Sequence, residues 1–159
     1  MQINGKTVFV YDIECFPNLF IVSIKNTESG ISKTLELSCR KNDILEICKL
    51  FKHKKIFFCG YNNLHYDNLL IHYILANLNE LIEKHVLDIC YILKKISDEI
   101  IEAKDLKFST YSKYKYMNEF ESLDLLTMMF SNKLRVGLKE LQVTMQYPNV
   151  QEYDGDFNE

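Results

Sequence analysis

The chain's apolar positions fall into runs that change period along its length. Val8 to Glu14, VFVYDIE, is β-branched or aromatic at most positions and predicts a central strand covered on both faces. Pro17 and Asn18 break that run, and Leu19 to Lys25 predicts a second strand. NTESG then closes a hairpin into a third strand, Ser32 to Ser38, of alternating character. From there the period lengthens. Ile44, Ile47, Cys48 and Phe51 share one face of a helix through ILEICKLFKH, with Asn42 and Asp43 as cap candidates. KKIFFCGYN reads as a buried strand ending at Gly60, and NLHYDNLLIHYIL follows with Leu70, Ile74 and Leu78 at helical spacing. Asn79 is a cap candidate for a helix over ELIEKHVLDICYILKKI, beyond which the signal weakens from Ile96 to Asn118. YSKYKY reads there as a loop or an edge hairpin. FESLDLLTMMF restores an apolar stretch, GLKELQVTM is a short amphipathic helix, and YPNVQEYDGDFNE is a polar, acidic tail. Strands gathered early, then strands alternating with helices, predict an α/β protein with a mixed sheet.

Composition narrows this picture modestly. A chain of 159 residues, 47% apolar and 26% charged, suits one globular domain with a real core. A net charge of −3 excludes a global basic field for nucleic acid, so such contact must be local or metal-assisted. Cys15, Cys48, Cys59 and Cys90 sit in apolar runs and read as small buried hydrophobes of a reducing compartment; no CxxC pair offers a structural zinc site. MQINGKTV lacks the features of a signal peptide, and no apolar stretch nears the ~20 residues that span a bilayer. A cytoplasmic protein with no membrane partner is expected.

Candidate chemistry begins with Asp12 and Glu14. Two apart on a strand, they point to the same face, and unpaired negative charge inside an apolar strand calls for a counter-charge. Hard carboxylate oxygens suit Mg²⁺ or Mn²⁺; the alternative is a pair on an edge strand facing water. A second group lies in GYNNLHYDN, residues 60 to 68, where Asp67 stands near a helix start. On its own Asp67 also reads as a first-turn acid, and Asn62 and Asn63 as turn residues.

Asp12-x-Glu14 on the first strand, followed after a later strand by Asn63-x-x-Tyr66-Asp67, resembles the first two motifs of the DEDD 3′–5′ exonucleases. It is most similar to the proofreading domains of phage-type family B DNA polymerases. The resemblance implies an RNase H-like (DnaQ-type) mixed sheet flanked by helices, forming a single exonuclease-like domain over residues 1–159. It implies that Asp12, Glu14 and Asp67 are three of four acids holding two divalent metal ions, Mg²⁺ or Mn²⁺, around a scissile phosphate. It also implies a single-stranded DNA 3′ end as substrate, contacted by Asn63, with Tyr66 and Phe16 near the terminal nucleotides. A polymerase module in the same or a partner chain, and a host cytoplasm for a phage-encoded protein, complete what it implies.

The family's third motif, Tyr-x-x-x-Asp or a spaced His and Asp on a last helix, is absent. Tyr147 and Tyr153 have Gln151 and Phe157 four residues on, and His85 precedes Asp88 by three. The domain is therefore expected to lack its C-terminal helix. Asp124 in SLDLL is the nearest internal substitute, expected to be substrate-proximal or structural. Lys139 in GLKEL reads either as a phosphate neighbour by family analogy or as an exposed helix lysine. KHKK, residues 52 to 55, and YSKYKY, residues 111 to 116, read as solvated lysines before they read as a phosphate track. His65 and His72 lack zinc spacing, and no Gly-rich phosphate loop is present. The alternatives to a DNA exonuclease are a nuclease-like domain, incomplete in its acids, that binds nucleic acid or a protein, and an RNA-directed nuclease of the same fold.

Overall fold

The structure, a computed structural model, describes residues 1–103, 112–130 and 136–146. Its first strands are β1 (Gln2–Ile3) and β2 (Lys6–Phe16), joined by Asn4-Gly5 with both φ angles positive, as a tight hairpin of this type requires. Pro17-Asn18 turns β2 into β3 (Leu19–Asn26) in antiparallel register Phe16↔Leu19, and β4 (Ser32–Leu37) pairs antiparallel beyond it. Then come α1 (Ile44–Phe51), β5 (Ile56–Gly60), α2 (Asp67–Ala76), α3 (Leu78–Leu81) and α4 (Val86–Glu102). After residue 111 lie α5 (Ser112–Lys115), β6 (Ser122–Asp124), α6 (Leu125–Met129) and α7 (Leu138–Thr144).

The sheet order is β4-β3-β2-β5-β6, with β5 parallel to β2 and β6 parallel to β5. This mixed α/β sheet flanked by helices has the architecture that the sequence resemblance implies. Its core lies on the face to which β2 turns Tyr11, Ile13 and Cys15. There Phe51 of α1 stacks on Phe58 of β5 with centroids 4.4 Å apart, and Tyr11 meets both edge-on at 5.5 and 5.6 Å. Phe120 closes the cluster from the segment leading into β6. Burying a ring such as Phe51 or Phe58 completely stabilises the fold by about 2–3 kcal/mol.

Several sequence expectations need correction. β2 is covered on both faces only at its start, where Val8 is buried: Val10, Asp12 and Glu14 on the same side are exposed, as are Ser23 and Lys25 on β3. The run looks continuous only because Tyr11, Ile13 and Cys15 on the covered side alternate with Val10 on the open one. The helix expected from Asn79 to Ile96 is two elements. α3 stops early, and His85 caps α4 by accepting a hydrogen bond at Nδ1 from the Leu87 N–H. α4 then continues past Ile96 to Glu102, since Ser97 and Ile100 stay buried. YSKYKY is not a hairpin: residues 112–115 make one helical turn with Tyr114 buried, while Tyr111 lies outside the described residues. Asn42 and Asp43 do lead into α1, but differently. Asn42 Oδ1 accepts from the Ile44 N–H, whereas the Asp43 carboxylate accepts from Glu36 on β4. Lys52, His53, Lys54 and Lys55 are exposed beside the starts of β2 and β5, the end of the sheet away from Asp12 and Glu14. Cys15, Cys48, Cys59 and Cys90 are buried free thiols, as expected. Among the described residues no helix is long and apolar enough to cross a membrane. The acidic tail, with Tyr147 and Tyr153, lies outside the described residues.

His72 illustrates how α2 is locked in place. It is buried, its Nδ1–H donates to the Tyr114 carbonyl at 2.9 Å, and its Nε2 is buried without a hydrogen-bond partner. Burial lowers its pKa below the ordinary 6.5, so the unfolded chain takes up the proton first. Stability from His72 is therefore complete above pH 6.5 and lost as pH falls toward the lower folded value. In thermal melts His72→Leu should remove that acid-side slope, at a cost of about 1 kcal/mol at neutral pH from the lost hydrogen bond.

Candidate active site

The candidate site forms where β2 and β5 part company. Their parallel pairing ends at Val10↔Cys59, while β2 runs on to Phe16 with only β3 beside it among the described residues. Chain direction leaves β5 at Gly60, passes through a loop, and begins α2 at Asp67. That places Asp67 against the unpaired edge of β2. Burial and next the Asp12 charge raise its carboxyl, while the Ile13 backbone amide draws both Asp67 and Asp12 toward their ionised forms.

Asp12 and Glu14 project from the open face, opposite Ser23 and Ile21 of β3, and strand alternation puts Phe16 on that face too. Although both keep accessible surface, the surrounding protein raises both carboxyls by desolvation, and Glu14 rises further beside Asp12. Asp67 is 5% exposed, and burial followed by the Asp12 charge pushes it from 3.8 up to about 7. Among the described residues no ion pair includes any of these three acids. Carboxylates whose charge is opposed by burial and by one another, with no ion-pair partner among the described residues, are chemically matched to hard divalent cations. The oxygens are not drawn into a closed cage: among the described residues no three His, Cys, Asp or Glu side chains form a ready metal-ligating group.

Beneath the acids runs a buried polar network. Tyr11 Oη donates to Asn68 Oδ1, Asn63 Nδ2 donates to the same oxygen at 3.2 Å, and Asn68 Nδ2 donates to Ser122 Oγ at 2.9 Å. It joins β2, the loop, α2 and β6, and its deep members cannot exchange their bonds for water. Two of the expected substrate contacts take part in this packing. Asn63 is 0% exposed and donates within the network. Tyr66 is half-buried, with its hydroxyl 2.7 Å from Ser97 Oγ on α4, and packs between helices. Burial raises its phenol well above the usual range. Phe16, half-buried like Tyr66, lies on the acids' face.

Asp124 is 3% exposed at the end of β6, where its carboxylate accepts from the N–H groups of Asn62, Leu64 and Leu126. Lys139 is exposed in the first turn of α7. The segment before α7 is tied to the loop after β5 by Tyr61 Oη donating to the Val136 carbonyl at 2.5 Å. Tyr11, Asn68, Ser122 and Tyr61 were not anticipated from sequence. Asn68, a lone amide opening the apolar run LLIHYIL, was the one local signal.

Gly60 is required by close approach rather than by an unusual φ. A Cβ there would stand 2.8 Å from Asn63 Cβ and 2.9 Å from its Cγ. Asn63 has no room to retreat, so Gly60→Ala should destabilise the protein by about 2–3 kcal/mol, read as a lowered midpoint in urea.

No protein-family profile and no curated protein matches the chain. Among solved structures, exonuclease I aligns with 78% of this chain at 15% identity and a TM-score of 0.36. A zinc-bound complex of E. coli exonuclease I with single-stranded DNA aligns with 79% at 14% identity and a TM-score of 0.35. The chain spans only 29% of the length of each. Overlaps this loose assign no residue and no chemistry.

Proposed function

We propose that the chain is a metal-dependent 3′–5′ exonuclease domain of proofreading type. It hydrolyses the terminal phosphodiester of single-stranded DNA as part of a phage-type family B DNA polymerase. The observation that carries this is the meeting of Asp67 with Asp12 at the unpaired edge of β2, with Glu14 one pleat further on. The polymerase context is supported only by the resemblance of the two motifs.

Asp12, Glu14 and Asp67 are the residues that would hold two divalent ions. When bound, such ions supply a nucleophilic hydroxide at neutral pH and charge stabilisation for the departing 3′ oxygen. Asp12 and Glu14 offer oxygens from the open face, where a phosphodiester can approach, and Asp67 offers its own from the buried side. Bare, the cluster repels the phosphate it must meet, so binding of a DNA end should require the cation as strictly as hydrolysis does. Phe16, on the same face, is the aromatic placed to meet a terminal base.

The test is a time course with Mn²⁺ and a 3′-labelled single-stranded oligonucleotide. Mononucleotide release from the 3′ end, stopped by a chelator, is expected. No digestion, or equal digestion by Asp12→Ala, overturns the proposal. One finding favours a second assignment, a nuclease-like domain that binds without cleaving. The nearest substitute for a fourth acid, Asp124, is committed to three backbone N–H groups. Oligonucleotide binding without shortening in Mn²⁺ would decide for it.

A further inference from the structure

Six residues, Tyr61 to Tyr66, carry the chain from the end of β5 to Asp67, and nothing regular supports them. Asn62 holds a left-handed φ of 61°, a turn conformation that asparagine adopts more readily than most residues. From below, Asn63 fills the space over Gly60, and its carbonyl accepts from the Asn68 N–H at 2.8 Å. From the side, Asp124 Oδ1 accepts from the Asn62 N–H at 2.8 Å and Oδ2 from the Leu64 N–H at 3.2 Å. Capping α6 uses one bond, to Leu126 N–H at 2.9 Å. The other two reach 62 and 60 residues back along the chain, which a helix cap has no need of. A carboxylate with two oxygens can grip two successive bends of a loop; an amide, with one acceptor oxygen, cannot.

Building on the exonuclease assignment above, we propose that Asp124 is a positioning residue: it clamps the Asn62–Leu64 turn and thereby sets Asp67 beside Asp12. Asp124 touches neither metal nor substrate. Its main effect passes through the loop backbone, as partners behind a metal ligand do when they fix its orientation, and its charge also reaches Asp67 directly.

The test compares the full chain with Asp124→Asn, which preserves volume, and with Asp124→Ala. Three readouts are taken: amide hydrogen exchange at Asn62 and Leu64, Mn²⁺ affinity by electron paramagnetic resonance, and kinetics on a single-stranded oligonucleotide. Asp124→Asn should lose exchange protection at one or both amides and weaken Mn²⁺ binding by about 10–100-fold. The turnover number should fall while KM for the oligonucleotide stays within about twofold. Asp124→Ala should do more of the same; if it unfolds, the isosteric variant carries the test. Protection kept at both amides overturns the proposal. So does protection lost with Mn²⁺ affinity unchanged, which would mark Asp124 as a purely structural clamp, and so does a wild-type chain that binds no Mn²⁺. A wild-type chain that binds Mn²⁺ but leaves DNA intact defeats the exonuclease assignment instead, while exchange and Mn²⁺ affinity still decide the role of Asp124.

Discussion

Asp12→Ala should lower Mn²⁺-dependent shortening of a 3′-labelled strand by about a thousandfold, a loss of about 4 kcal/mol of transition-state stabilisation. Of the three acids, Asp12 is the one that couples directly to both of the others: it raises Glu14 beside it and Asp67 across the strand edge. Its removal therefore breaks the cluster rather than trimming it. The loss should fall on kcat far more than on KM, since oxygens that hold ions about the reacting phosphate matter most as charge develops. Folding should survive, because Asp12 projects from the open face of β2 and not into the core. An unchanged or slightly higher melting temperature, together with lost activity, separates chemistry from collapse. Asp88→Asn, exposed in the first turn of α4, serves as the control and should leave the rate unaltered.

The metal-free protein should grow less stable as pH rises from about 4 to about 7, against the usual trend of proteins carrying paired carboxylates. Asp67 is responsible. Its folded carboxyl titrates at about 7 against an ordinary 3.8, chiefly from burial and next from Asp12. A raised folded value means that the native state holds the proton more tightly than the unfolded chain. The stabilisation is complete below the unfolded value and disappears as pH climbs through the folded one. Over that window the change approaches about 4 kcal/mol, at 1.36 kcal/mol per unit. Asp12 and Glu14, also raised, add slopes of the same sign, and His72 one of opposite sign below pH 6.5, so the Asp67 component is read as the difference between wild type and Asp67→Asn. Asp67→Asn should flatten the curve and raise the melting temperature at pH 7.5 without metal. Added Mn²⁺ should stabilise the wild type and leave Asp67→Asn nearly unmoved, since ligand binding adds stability only where the site can form. A wild-type curve that keeps the same slope as Asp67→Asn across this window would contradict the placement of Asp67.

Much of the frame was legible along the chain. Alternation and breakers located β2, β3, β4 and β5, and the helical period located α1, α2 and α7, because those signals are local. The end of α4 was not legible. Past Ile96 the residues turn polar, yet Ser97 reaches Tyr66 and Ile100 reaches the core, so tertiary contacts sustain a helix that its own sequence announces weakly. Residues 112–115 misled for the opposite reason: alternating Lys and Tyr imitates a strand, but Tyr114 is buried among α2 side chains, 5.5 Å from the Tyr73 ring and within reach of Asn77.

At the site, chemistry was legible and orientation was not. Acids at positions 12, 14 and 67 were visible as types and spacings. Whether Asn63 faces a ligand or the core depends on the distance from Gly60 to the loop above it, which no local pattern encodes. Asp124 makes the same point: as part of SLDLL it is only an acid before an apolar turn, and its two longest-range bonds exist because β6 lies beside β5.

The amino-acid order thus determined which segments extend, which coil, and that carboxylates sit at the mouth of an apolar strand; period and side-chain type are enough for that. Only the folded chain decided that β5 stops short of the end of β2, opening an edge for Asp67, and that one face of β2 stays open to water. Those outcomes arise from pairing register and helix placement between residues some fifty positions apart, where burial and charge repulsion are shared among elements and belong to none of them singly.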